Sequence, residues 1–99
     1  MSEGYFGLLG NMRAVPGKRD ELIAALQESS RDVPGKLVYL IQLDQNDPDV
    51  FWINEVWKTK AHYDACLTMP QVQGGMEKTR ALIAGVEVRV ETVPLGSFD

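Results

Sequence analysis

The sequence predicts an α+β domain whose elements run in the order β-α-β-β-α-β, and three observations predict it. Val15-Pro16-Gly17, Pro34-Gly35 and the polar run DQNDPD at 44–49 divide the chain at turn residues. Between these breaks apolar residues recur with the period of a helix over 18–32, and as continuous apolar runs over 36–43 and 51–57. Near the end, 86–93 alternates valine with Glu87, Arg89 and Glu91, the period of a half-buried strand. At 99 residues the chain has the length of one domain, 1–99.

Each element follows from its residues. The first strand runs over 5–14, and Gly7 and Gly10 in it permit a bulge or a close backbone approach. In the helix over 18–32, Leu22, Ile23 and Leu26 share a face, while Arg19, Asp20, Glu21 and Gln27 lie mostly elsewhere. Pro34-Gly35 stops it, and KLVYLIQL at 36–43 forms the second strand. FWINEVW at 51–57 is the third. Thr59 is an N-cap whose hydroxyl accepts from a backbone amide about three residues on, starting a helix over 59–67. Pro70 interrupts it. A further helical piece spans 71–84, with Val72, Met76, Thr79 and Ile83 roughly on one side. Gly74-Gly75 weakens that piece by about 1 kcal/mol per glycine relative to alanine, and Gly85 suits a C-cap. The tail PLGSFD reads as loose unless Phe98 docks.

Composition removes several classes of function. A net charge of −4 with no Lys/Arg cluster argues against a nucleic-acid partner. No run approaches about 18 apolar residues, so no membrane span is expected. The opening MSEGYFGLLGNMR lacks the form of a signal peptide, and the single cysteine leaves no intramolecular disulfide. A cytoplasmic protein is expected.

The order β-α-β-β-α-β suggests a ferredoxin-like sheet with both helices on one face. Yet the central strands are apolar on both sides: Leu37, Tyr39 and Ile41 against Val38 and Leu40, and Phe51, Ile53 and Trp57 against Trp52 and Val56. Strands of that kind are covered on both faces. Two helices cover only one, so the economical arrangement is a homodimer with sheets packed face to face.

The corner between the third strand and the next helix gathers the candidate site residues. His62 is the only histidine, with an unperturbed pKa near neutrality that suits a general base; as an early helical residue it suits packing equally. Trp57 either lines a pocket or packs the core. Tyr63 donates to a ligand oxygen or buries its ring. Cys66 is at helical spacing from His62 and reads first as a small buried apolar group, with no basic neighbour to make it a nucleophile. Glu55, if buried, calls for a partner such as Arg13 or Arg89, which favours a structural ion pair over catalysis. Asn11 in an apolar strand is a pocket donor or a bulge hydrogen-bonder. One His and one Cys fall short of the three or four ligands of an ordinary zinc site, so no metal is expected. There is no Gly-rich phosphate loop.

The order of elements, the PGK at 16–18, PGKLVY at 34–39 and NEVWKTKAHYDACLTMPQV at 54–72 together resemble the antibiotic biosynthesis monooxygenase domain over nearly the whole chain. In that family a Glu-x-Trp strand end precedes a Ser/Thr helix start and then one or more histidines. Glu55, Trp57, Thr59 and His62 match this pattern. The resemblance implies a dimeric α+β barrel, in agreement with the two-sided strands. Quinol-monooxygenase-like members carry a second histidine where this chain has Cys66. Haem-degrading members carry an Asn that Asn11 could represent, but Cys66 and Met76 stand where their Trp and iron-ligating His fall, so that route is not expected. Anthrone-type members use Asn, Trp and Tyr, matched by Asn54, Trp57 and Tyr63. The resemblance thus implies a cofactor-independent monooxygenase acting on a phenolic, hydroquinone or anthrone-type molecule with dioxygen. His62, Trp57 and Tyr63 are then catalytic, and Asn11, Asn54, Cys66 and Met69 contact substrate. The alternative is a non-catalytic small-molecule-binding or accessory protein on the same barrel. An open apolar pocket beside Trp57 and His62 would favour ligand binding over a purely structural role.

Overall fold

The computed structural model of the chain describes residues 4–95. The elements are β1 (Phe6–Ala14), α1 (Arg19–Ser29), β2 (Lys36–Leu43), β3 (Val50–Trp57), α2 (Lys60–Cys66), α3 (Pro70–Arg80), β4 (Ile83–Gly85) and β5 (Arg89–Thr92). All strand pairs are antiparallel, in the spatial order β2-β3-β1-β4, with β5 also paired to β1. This is the ferredoxin-like order, in a sheet that does not close on itself.

Strand register sorts the side chains between the two faces, because successive residues alternate across a sheet. Phe6 pairs with Trp57, Leu8 with Glu55 and Met12 with Phe51; Tyr39 pairs with Glu55 and Ile41 with Ile53. These residues share the helix-covered face. There Ala14, Leu22 and Phe51 are fully buried beneath α1 in one cluster, and Phe6, Leu8, Val33, Trp57 and Cys66 form a second beneath α2 and the start of α3. Burying a side chain such as Leu22 or Phe51 is worth about 1.5–3 kcal/mol, so these two clusters hold the helices to the sheet. One polar residue, Glu55, sits in this otherwise apolar row, between Leu8 and Tyr39.

The opposite face carries Leu9, Leu40 and Val90 around Asn54, which pairs with both leucines; all four are exposed. The two-sided apolar strands read in the sequence are therefore present, and on this second face the patch of Leu9, Leu40 and Val90 has no cover within the described residues.

The last part of the chain differs from expectation. Of the strand expected over 86–93 only β5 forms, exposed rather than half-buried, and a separate short β4 precedes it at Ile83–Gly85. Asn11 explains the break. Its Oδ1 accepts from the backbone N–H groups of Glu87 (3.1 Å) and Val88 (3.0 Å), and its own N–H donates to the Val88 carbonyl. The side chain thus substitutes for ladder bonds between β4 and β5. The preceding helix stops at Arg80 instead of 84 because Val15 N–H takes the Leu82 carbonyl at 2.9 Å, drawing the chain into pairing with β1. Gly85 lies in β4 and caps no helix. The question of Phe98 docking lies outside the described residues. None of their helices is long and apolar enough to cross a membrane.

Close contacts require glycine at Gly7, Gly10, Gly35 and Gly75, and the last two set helix and turn packing. A Cβ on Gly75 would stand 2.2 Å from the Ser29 Cβ, so Gly75 lets α1 and α3 approach. Gly35 precedes β2 with φ +85°, and a Cβ there would stand 2.4 Å from the His62 ring. Gly35→Ala is expected to destabilise by at least about 1–2 kcal/mol, the cost of a left-handed backbone for an L side chain. Urea unfolding measures it. Adding His62→Ala should recover the contact part and leave the dihedral part. An unchanged midpoint for Gly35→Ala alone would contradict this packing.

Candidate active site

The helix-covered face leaves two voids that meet at Glu55 and Tyr63. An inner cavity of about 180 Å³ lies beneath α1, α2 and α3 and is lined by Lys36, Tyr39, Glu55, Trp57, Tyr63 and Cys66 together with apolar residues including Leu26, Val33 and Val72. An outer one of about 230 Å³ lies against β1 and the β4–β5 connection, and includes Leu8, Asn11, Ile53, Glu55, Tyr63 and Arg89. Clefts of greater volume run along α1 and α3 and beside Lys60 and Glu91, but mostly exposed residues line them. The two smaller voids hold the half-buried acid Glu55.

Glu55 is placed by β3, two residues before Trp57, so both side chains point toward the helices. Trp57 Nε1 donates to Glu55 Oε1 at 2.9 Å. Burial pushes the Glu55 carboxyl above its ordinary pKa; the Trp57 hydrogen bond, Lys36 and Arg89 pull the other way without cancelling it. The arginines expected to pair with it are engaged elsewhere. Arg13 bonds Asp47 at 2.9 Å and Glu87 at 3.6 Å, and Arg89 bonds Glu91 at 3.5 Å. Among the described residues no cation lies within ion-pairing distance of Glu55, which corrects the reading of it as a structural ion pair.

Around it the groups are aromatic or weakly acidic. The Tyr63 ring packs on Phe6 (5.2 Å between centroids) and edge-on to Trp57 (5.6 Å, 72°), and Arg89 Nη2 donates to its hydroxyl at 3.2 Å. Burial, with the nearby Glu55 charge, pushes the Tyr39 hydroxyl above its usual pKa range. Burial also pushes the Cys66 thiol up, so it is a protonated cavity wall and not a thiolate. A carboxyl whose pKa burial raises, beside donors in a largely apolar void, can take a proton from a weakly acidic ligand and return it.

Of the residues expected at the site, the structure brings Trp57, Tyr63 and Cys66 to the inner cavity and Asn11 and Tyr63 to the outer one. It does not bring His62, Asn54 or Met69 to either. Thr59 caps α2 as expected, its Oγ1 accepting from His62 N–H at 3.1 Å and lying 2.8 Å from His62 Nδ1, so the imidazole is tied to the helix start and stacked on Gly35. Asn54 is on the opposite sheet face, and Met69 is the residue before α3, packed against the core from outside. The residues missed were Glu55 as a free acid, Lys36, Tyr39 and Arg89. Glu55 had one available signal: it shares parity with Phe51, Ile53 and Trp57, the core-facing row. No group of three or more His, Cys, Asp or Glu that could hold a metal occurs among the described residues.

Sheet order, helix layer and voids define a ferredoxin-like α+β protein with ligand-sized space beneath its helices. The chain belongs to the antibiotic biosynthesis monooxygenase family, whose model matches residues 6–78. It is similar to a solved structure from Chloroflexus aurantiacus named as a candidate antibiotic biosynthesis monooxygenase, at 44% identity over 97% of this chain and 98% of that one, with a TM-score of 0.94. A structure from Caulobacter crescentus named in the same way has a TM-score of 0.85 at 15% identity, covering 95% of this chain and 92% of that one, a likeness of fold alone. An uncharacterized protein of Synechocystis is 33% identical over 78 residues, 76% of this chain and 53% of its own length. The chain thus spans about half the length of that curated relative.

Proposed function

We propose that this protein is a cofactor-independent monooxygenase acting on a small electron-rich aromatic, a phenol, hydroquinone or anthrone, with dioxygen. Glu55 is the base. The observation that supports this most is its position: a carboxyl in an apolar row, raised in pKa, with no ion pair, and held by the Trp57 N–H at the junction of two voids. Trp57 orients the carboxyl, Tyr63 donates to a substrate oxygen from the wall shared by both voids, and Cys66 shapes the inner one. For an anthrone the sequence is a balanced oxidation. Glu55 takes a methylene proton, and the anion passes one electron to dioxygen. The resulting radical and superoxide couple, and the peroxide then loses water. The carbon keeps one oxygen as a carbonyl and the other leaves in water. The protein supplies placement and exclusion of water.

In this reading the uncovered face, with Leu9, Leu40 and Val90, meets a second copy of the chain, giving a homodimer in the cytoplasm, where the free buried Cys66 stays reduced. Sedimentation at micromolar concentration should give twice the 11.0 kDa chain mass; a monomer would remove the sheet-to-sheet pairing. The function itself is tested by oxygen uptake with a panel of hydroquinones and anthrones. Uptake with at least one panel member is expected, and ligand binding without uptake would leave a non-catalytic binder.

A further inference from the structure

Lys36 has no part in the reading above, yet it lines the same inner cavity as Glu55 and is the only cation among the described residues that does. It opens β2, on the strand next to Glu55. Its Nζ donates to the Ser30 carbonyl at the end of α1 and lies 5.0 Å from the Tyr39 ring centroid. An ammonium carries three N–H donors, so the bond to Ser30 leaves others for a ligand. Lys36 forms no ion pair with Glu55 within 4 Å; the two charges line one void without neutralising each other. Burial lowers the Lys36 pKa, against the pull of Glu55 on β3, Cys66 on α2 and Asp32 after α1; the Tyr39 and Tyr63 hydroxyls are the other titratable groups lining the cavity.

A base alone does not make this cavity work. Taking a proton from a phenol in an apolar void leaves an anion whose burial is costly unless a cation faces it. We propose that Lys36 receives the substrate oxyanion, so that the inner cavity binds a single-ring hydroxyaromatic as its anion. This rests on the reading of Glu55 as base. The O–H bond breaks, its proton goes to a Glu55 oxygen, and the electron pair stays on the substrate oxygen facing the Lys36 ammonium. The size agrees: a void of about 150 Å³ holds benzene, and this one is about 180 Å³. A three-ring anthrone would need both voids.

The test uses para-nitrophenol, whose anion is yellow, in Glu55→Gln protein, so that no carboxylate opposes the phenolate. The bound probe should show a pKa lowered by about 1–3 units, the effect of an opposite charge within a few ångströms. Lys36→Met in the same background should bind the probe without the shift, and Lys36→Arg should keep it. Lys36→Gln serves if Lys36→Met fails to fold. A shift that survives loss of the ammonium, no shift with Lys36 present, or no binding of the probe overturns the proposal. A Lys36-dependent shift in a protein whose native form consumes no oxygen upholds the anion site and removes the oxygenase reading instead.

Discussion

Glu55→Gln is expected to lower turnover by about 10²- to 10⁴-fold, the usual effect of losing a general base, while raising the melting temperature at neutral pH. The two effects share one cause. Burial raises the folded-state pKa of Glu55 above the unfolded value of about 4.3. Between those two values the folded chain holds a proton that the unfolded chain has released, so stability falls as pH rises through that window. The stability of the protonated carboxyl is fully present below the unfolded pKa and lost above the folded one. Glutamine keeps the shape and never ionises, so its advantage should grow through that window, be complete above the folded pKa and vanish in acid. His62→Ala is the contrast. Its ring is tied to Thr59 and packed on Gly35, outside both voids, so it should keep turnover and change stability by no more than about 1 kcal/mol. A His62→Ala protein without turnover would return the base to the imidazole.

Trp57→Ala should have the largest effect on stability. The indole is 2% exposed and packs with Phe6, Leu8 and Tyr63, and truncating such a residue costs about 3–5 kcal/mol. That is a large share of the roughly 5–15 kcal/mol that holds a domain folded. Urea unfolding measures it, and a loss below about 1 kcal/mol would contradict the core assignment. Trp57→Phe separates the roles. It keeps most of the packing but removes the N–H that holds Glu55, so the Glu55 pKa should rise further and the acid limb of the rate profile should move to higher pH.

Much of the fold was legible because its signals are local. β2 spans the expected residues, β3 differs by one, and the Thr59 cap forms as its spacing implies. The end of the chain was not legible, because what breaks the last strand is Asn11, more than seventy positions away. Gly75 reads locally as a weak point in a helix, yet its use lies in contact with Ser29. The site shows the same division. Trp57, Tyr63 and Cys66 stand out from corner and helix spacing, and they line the inner cavity. The unperturbed pKa of an imidazole is near neutral and can be read from the residue type, whereas the Glu55 pKa is raised only through burial, and burial depends on what Leu8, Tyr39 and the helices place around it. Lys36 and Tyr39 come from another strand and join the site only through sheet register.

A half-buried carboxyl, and not an imidazole, is the proposed base. The pH dependence of kcat/KM for oxygen uptake, measured on native and His62→Ala protein with the best substrate of the panel, tests it most directly. An ascending limb above the ordinary carboxylate range is expected, the same in both proteins and absent from the residual activity of Glu55→Gln. A limb that disappears in His62→Ala and persists in Glu55→Gln would contradict it.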